Sequence, residues 1–374
     1  NSVLDNVPGI EGINEEVKQR ILSEAHFFRA LSYFNLVRGF GPVPIKIHES
    51  VDVSSVGSPR EPESAVYDLI LSDVLEAEKN LPSDVGAETG RLSVWSAKML
   101  LAQIYLTLEQ WSDAAAKAKE IMDSGVFELI TVSQASDFYH IFATNTNAEY
   151  ILALQQSETR QSSLPQFLHR PSTPPYNYSS SGFFAWLPDT TSFIGDAWDD
   201  ADLRKSFNLY HSYIGPDGEM VSLPSSSPVL FGKFITTPDG IRSYSAPIFR
   251  LAETYLIYAE ADAMATGSVT TEALEALNVI RRRAYGMDPH SASEIDYLGD
   301  VSVAEFQDLV LQEKAYEFIV EGQRWWDLKR TGKVEEAMTA ADKEFRSERL
   351  LWPLPEDEIN NNPDINQEDQ NPGY

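Results

Sequence analysis

Apolar positions in this chain recur at helical spacing in paired segments that bracket a middle with no helical period. Over residues 14–40, Ile21, Ala25, Phe28, Leu31 and Leu36 predict one long amphipathic helix. Asn14 is its N-cap, and Gly39 with Gly41-Pro42 is its stop. Residues 63–81 predict a second helix, with Tyr67, Ile70, Leu71, Val74 and Leu75 apolar and Pro82 closing it. Residues 93–108 and 111–124 predict a close pair. Ala97, Leu101, Ala102 and Tyr105 on one helix face Ala114, Ala115 and Ala118 on the next, small residues that let two helices approach. Helix-turn-helix units of ~34 residues that bury their faces only by stacking on neighbours are tetratricopeptide chemistry. The pattern returns at 248–266 and 271–283, split by Gly267, and again after the capping box Ser302-Val303-Ala304-Glu305.

That last segment runs into EKAYEFIVEGQRWWDLKR, residues 313–330. Leu311, Ala315, Phe318, Ile319 and Gly322 fall on one helical face, with Glu313, Glu317 and Glu321 one turn apart beside it. Like charges at that spacing repel by a few tenths of a kcal/mol per pair unless cations answer them. Arg324 reaches only Glu321, so Arg281, Arg282 and Arg283 are the expected donors for the rest. A structural ion network is expected here in place of a catalytic carboxylate cluster. Trp95, Trp111, Trp325 and Trp326 are expected to pack between helices.

The middle, residues 127–246, has the opposite character. Residues 150–155 predict a short strand, and beyond them prolines, serines and aromatics crowd a long stretch. A structureless run of that length is functional or disordered, and its aromatic load argues against disorder. Tyr176, Tyr178, Phe183, Phe184 and Trp186 lie within eleven positions, and Trp198, Tyr210 and Tyr213 follow. A pyranose has an apolar C–H face for a ring to cover and hydroxyls for Asn177, Arg170 or Asp189 to bind. The candidate glycan-binding residues are therefore Trp186, Tyr176, Tyr178, Asn177, Trp198 and Tyr213. The competing expectation is that these rings fill a second small core.

Ion and cofactor signals are weak. His26 has no second histidine at metal spacing. Asp196, Asp199, Asp200 and Asp202 suggest calcium but do not match a calcium-loop spacing, so no cofactor is expected and calcium is the one ion the residues raise. No catalytic residue stands out.

Composition narrows the classes. At 374 residues with 43% hydrophobic residues, the chain can bury a large core. A formal charge of −28 argues against nucleic acid and anionic membrane surfaces, which need basic faces. No run approaches the ~18 apolar residues of a membrane span. With no cysteine, disulfides, thiolate metal sites and cysteine nucleophiles are excluded.

Several stretches together resemble the SusD/RagB family of Bacteroidetes surface lipoproteins. They are residues 313–330, EAHFFRALSYFNLVRGFGPVPI at 24–45, the Asp202/Arg204 D-x-R pair, and the tail LLWPLPEDEINNNPDINQEDQNPGY. The resemblance implies a mainly α, tetratricopeptide-like superhelix with an irregular, loop-rich insert containing short strands. It implies one domain over 1–374, with helical pairs at 1–126, the insert at 127–246 as the ligand face, and helical pairs with an extended tail at 247–374. The D-x-R pair is expected to be structural. The opening NSVLDNVP resembles the end of a family helix, so an N-terminal head is expected ahead of it.

The implied function is non-catalytic capture of oligo- or polysaccharide and delivery to a TonB-dependent SusC-like outer-membrane transporter. The implied location is the cell outer membrane, as a surface-exposed lipoprotein held by a lipid anchor outside this sequence. Alternatives are a RagB-like peptide receptor, a glycoside hydrolase, which needs two carboxylates ~5 Å apart in its retaining form, and a cytosolic tetratricopeptide adaptor.

Overall fold

Several helix boundaries fall at capping residues. The computed structural model describes residues 1–52, 57–86, 88, 90–169, 185–189, 198–215, 217–237 and 239–374. A short helix α1 (Ser2–Asn6) leads into α2 (Glu15–Phe40), whose cap Asn14 accepts from the Val17 N–H at 3.2 Å. Gly41, at φ 72°, ends α2 in backbone that side chains disfavour. α3 (Glu63–Asn80), α4 (Val94–Thr107) and α5 (Trp111–Met122) follow, each packed on the one before. Ala97 and Ala102 of α4 and Ala114 and Ala118 of α5 are fully buried, as the small-residue pattern requires.

The insert is built from short pieces. In order they are α6 (Tyr139–Phe142), β1 (Tyr150–Leu154), α7 (Leu164–Leu168), α8 (Leu203–Asn208), β2 (Leu209–Tyr210), β3 (Ser212–Ile214), β4 (Met220–Ser222), β5 (Leu230–Phe231) and β6 (Ala246–Arg250). All strand pairs are antiparallel: β1 with β6, β2 with β5 and β3 with β4. Tyr150 opposes Arg250 and Leu154 opposes Ala246, so the chain leaves and re-enters the helical frame through one strand pair.

The frame resumes with α9 (Leu251–Thr266), α10 (Thr271–Ala284), α11 (Val303–Glu317), α12 (Arg324–Arg330), α13 (Val334–Ala340) and α14 (Glu356–Asn361). Thr270 caps α10, and the Ser302/Glu305 capping box opens α11 as the sequence predicts. α9 packs on α5, α10 and α11, which closes the helical layers into one core with Phe27, Leu100, Leu256 and Leu277 at its centre. The fold is thus mainly α, with the irregular insert and short strands that the sequence implies.

Four expectations are corrected. The buried face of α2 carries Phe27, Ala30, Tyr33, Phe34 and Val37, while Phe28 and Leu36 are exposed. Apolar residues occupy more than one face of that helix, so its period alone leaves the direction open. Likewise Val66, Ile70, Val74 and Ala77 are the sealed positions of α3, and Leu75 is exposed. Residues 248–250 belong to β6 rather than to a helix, because pairing with β1 takes their backbone. Finally α11 stops at Glu317. Phe318 and Ile319 stay buried, but the chain turns through Val320 (φ 56°) and Gly322 (φ 82°), which takes Glu321 off the helix.

Candidate functional site

A buried ion cluster joins the insert to the frame. Glu317 lies at the centre. Its Oε1 accepts from Arg250 Nη1 at 2.6 Å and Arg283 Nη2 at 2.5 Å, and its Oε2 accepts from Arg204 Nη1 at 3.2 Å. Glu321 accepts from Lys233 Nζ at 2.8 Å and from Arg250 Nη2 and Nε at 2.8 and 2.9 Å. Glu149, beside β1, accepts from Arg250 at 3.0 Å and Arg283 at 2.7 Å. Each of these side chains is at most 5% exposed. Arg204, Lys233 and Glu149 come from the insert, whereas Arg283, Glu317 and Glu321 come from the frame, so the charges span the seam.

Burial alone would oppose ionisation of Glu317, yet Arg283, Arg250 and Arg204 together hold it well below the usual carboxylate range. Glu321 is lowered too, as Arg250 and Lys233 outweigh its burial. Glu313 goes the other way: burial raises it against the pull of Arg204. The donors therefore match the expected ones only in part. Of the arginine triplet, Arg283 reaches Glu317, Arg281 comes only to 4.0 Å from Glu313, and Arg282 turns to Glu275 and Asp296. Arg324 donates to the Leu311 carbonyl at 2.8 Å and leaves Glu321 to Arg250 and Lys233. Arg204, Lys233 and Arg250 lie far from the glutamates in sequence, and no local spacing announces them.

The D-x-R pair is structural, as the resemblance implies. Asp202 caps α8 by accepting from the Arg204 N–H at 2.9 Å, and it also accepts from the Arg204 side chain. The neighbouring acids are occupied as well. Asp199 accepts from Ala201 N–H and Tyr285 O–H, and Asp200 pairs with Lys205 at 2.6 Å. Asp196 lies outside the described residues, and among those described no group of acidic or histidine side chains is arranged to hold a metal.

The candidate binding residues divide. Tyr176, Asn177 and Tyr178 lie outside the described residues, as do Phe183, Phe184 and Arg170. Trp186 is 47% exposed, and the Leu187↔Val229 bridge beside it anchors its backbone to the insert. Tyr213 is half-buried on the β3–β4 hairpin, opposite Val221. Trp198 is a correction. It is 2% exposed, stacks on Tyr316 at 4.6 Å and 9°, and donates from its indole N–H to Asp202 at 3.0 Å. A ring with one face on Tyr316 and no exposed surface has nothing to offer a sugar. It belongs to a second core with Phe138, Phe142, Phe207 and Phe234, so the competing expectation holds for that ring.

The sequence reading missed a further aromatic cleft. Trp95 and Phe127 meet edge to face at 6.4 Å, with Arg91, Gln155 and Thr146 around them. Trp95 had signalled helix packing, and it does lean on the main core. Its other neighbours come from a loop and from β1, which helical spacing does not reveal.

Two family models match the chain: one described as the SusD family over residues 226–374, the other as starch-binding associating with outer membrane over residues 1–106. The chain belongs to the SusD family. Two SusD-like proteins of Formosa agariphila are 26% and 24% identical to it, over 98% and 100% of this chain and 76% and 77% of their own lengths. A solved SusD-superfamily structure from Parabacteroides distasonis shares the fold with a TM-score of 0.82 at 23% identity, covering 99% of this chain and 82% of that one. A structure described as a laminarin binding SusD-like protein has a TM-score of 0.79 at 25% identity, covering 100% of this SusD-family chain and 83% of its own.

Proposed function

We propose that this SusD-family chain is a non-catalytic glycan-binding protein that captures oligo- or polysaccharide at the cell outer membrane and passes it to a TonB-dependent SusC-like transporter. The observation that carries the glycan reading is Trp186, a half-exposed indole on an insert locked to the frame by buried charge. An aromatic face held in place loses little freedom when a pyranose settles on it. The full-length likeness to a laminarin-binding structure supports the same ligand class. Attachment as a surface lipoprotein agrees with the outer-membrane description of the family model, and no helix among the described residues is long and apolar enough to cross a membrane. Coupling to a transporter raises effective concentration, so a modest intrinsic affinity suffices.

A hydrolase reading has less support. The buried carboxylates of the ion cluster are all engaged by arginine or lysine and closed to solvent, so none of them can flank a glycosidic bond. Native gels containing laminarin or soluble starch test the proposal: the intact chain should be retarded, and Trp186→Ala should be retarded less. Reducing ends released on incubation would overturn the binding-only reading, and a peptide library would be the next screen if no polysaccharide retards the chain.

A further inference from the structure

The tryptophan pair of α12 does not pack wholly between helices. Trp325 and Trp326 are half-buried, and with Trp352, Tyr374, Arg349 and Gly322 they line an open depression. We propose that this depression is a second glycan subsite, selective for neutral pyranose chains. The proposal rests on the glycan-binding reading above but on different residues.

Its floor is rigid. Trp326 and Trp352 stand 5.6 Å apart at 54°, and Trp352 meets Phe40 edge-on at 5.6 Å. The Arg38 guanidinium lies 4.6 Å from the Trp326 ring centre and 3.8 Å from that of Phe34, backing the shelf from within. Gly39 lets Trp352 lie directly on α2: a Cβ there would sit 2.9 Å from the indole, and the backbone N–H of Trp352 donates to the Gly39 carbonyl at 2.8 Å. Arg60 ties the tail down by donating to the Pro42 and Phe40 carbonyls and to Asn371, while Asn371 donates to the carbonyls of Phe40 and Trp352. Rings so held lose little freedom on binding.

The upper surface is open. Trp352 is 43% exposed and Tyr374 49%, and Arg349 stands exposed at the rim as a donor for ring hydroxyls. The indole N–H of Trp325 is buried beneath this surface and has no acceptor among the described residues, so Arg349 is the donor that a bound sugar would meet. Flat rings with hydrogen-bond donors beside them suit the apolar face and hydroxyl edge of a sugar. The chain's net charge of −28 repels polyanions, which leaves neutral polysaccharide as the fitting class.

The test uses the full chain on native gels containing laminarin or soluble starch, with Arg349→Ala/Tyr374→Ala compared with Trp186→Ala. Both substituted side chains are exposed, so folding should survive, and an unchanged unfolding midpoint confirms it. The expected result is a loss of retention of threefold or more in the double variant, adding to the loss from Trp186→Ala. Retention equal to that of the intact chain overturns the subsite, and so does equal retention accompanied by loss of a co-purifying membrane protein, which would make the shelf a protein interface. If the intact chain is retarded by neither gel and binds nothing on a neutral glycan array, the glycan-binding reading itself fails and the subsite with it.

Discussion

Arg204, in the insert, donates through Nη2 to Glu313 of α11 at 2.5 Å and through the same nitrogen to Asp202 at 2.6 Å. Its Nη1 serves Glu317, so one guanidinium separates three buried carboxylates. Arg204→Leu leaves those acids facing one another in low dielectric. Removing one partner from a buried pair costs ~3–5 kcal/mol, and that loss should show in the urea unfolding midpoint. Arg204→Lys should recover little, since an ammonium cannot reproduce the planar fork. A loss below about 1 kcal/mol, the scale of an exposed pair, would show that the cluster is not what fastens the insert.

Glu253 sets an opposite pH trend. Burial pushes its carboxyl up from the ordinary 4.5 to about 7, against the pull of Lys314 and of Gln103, which donates to its Oε1 at 2.6 Å. Its Oε2 is buried with no partner among the described residues, as suits a group that keeps its proton. The native chain then holds that proton more tightly than the unfolded chain, so this group's contribution to stability falls as pH rises from about 4.5 to about 7. Glu317 and Asp327, held low by their cationic neighbours, contribute stability above the ordinary carboxylate range that is lost on acidification. Glu253→Gln should match the parent near pH 4 and exceed it above pH 7 by up to ~3 kcal/mol, at about 1.4 kcal/mol per unit of pKa. Urea unfolding across that range measures the difference, and parallel curves would show that Glu253 does not titrate there.

Two tryptophans twelve residues apart should separate stability from binding. Trp198→Ala opens a cavity against Tyr316 and removes the hydrogen bond to Asp202, which should cost ~3–5 kcal/mol. Trp186→Ala, at a half-exposed position, should leave the melting temperature nearly unchanged while weakening retention on a glycan gel. Calorimetry and gel retardation on both variants give the comparison. An unfolding midpoint that drops for Trp186→Ala would place its ring in the core.

Local chemistry explains what the sequence made legible. Asn14 and the Ser302/Glu305 box mark helix starts because their side chains satisfy backbone N–H groups within three residues. The alanines of α4 and α5 announce close packing in the same local way. The direction of α2 was not legible, because its aromatic residues surround the helix and only the tertiary partner selects Phe34 over Leu36. Nor were the partners of Glu317, since Arg204 and Arg250 lie 113 and 67 residues away and meet it only after the insert folds back. Trp198 and Trp186 look alike in a string of aromatics. Stacking on Tyr316, a residue of α11, is what removes one of them from the surface. The aromatic depression at Trp352 draws on α12, a loop and the tail, which no single period connects.

Ala102 tests whether the helical pairs are as tightly fitted as their small residues imply. It is fully buried on α4, as are Leu101 beside it and Ala114 and Ala118 on the facing α5. Interiors at this density have no room for an indole, so Ala102→Trp must push side chains off their rotamers or part the helices. The expected cost is ~1–3 kcal/mol, seen as a lowered urea midpoint with glycan retention unaffected in the fraction that stays folded. Because α5 packs on α9, and α9 on α11, strain at Ala102 has a packed route toward the ion cluster. Combining Ala102→Trp with Arg204→Leu reveals whether it is used: additive losses would mean that the pair and the cluster are independent, and a smaller combined loss would mean that they share one cooperative unit.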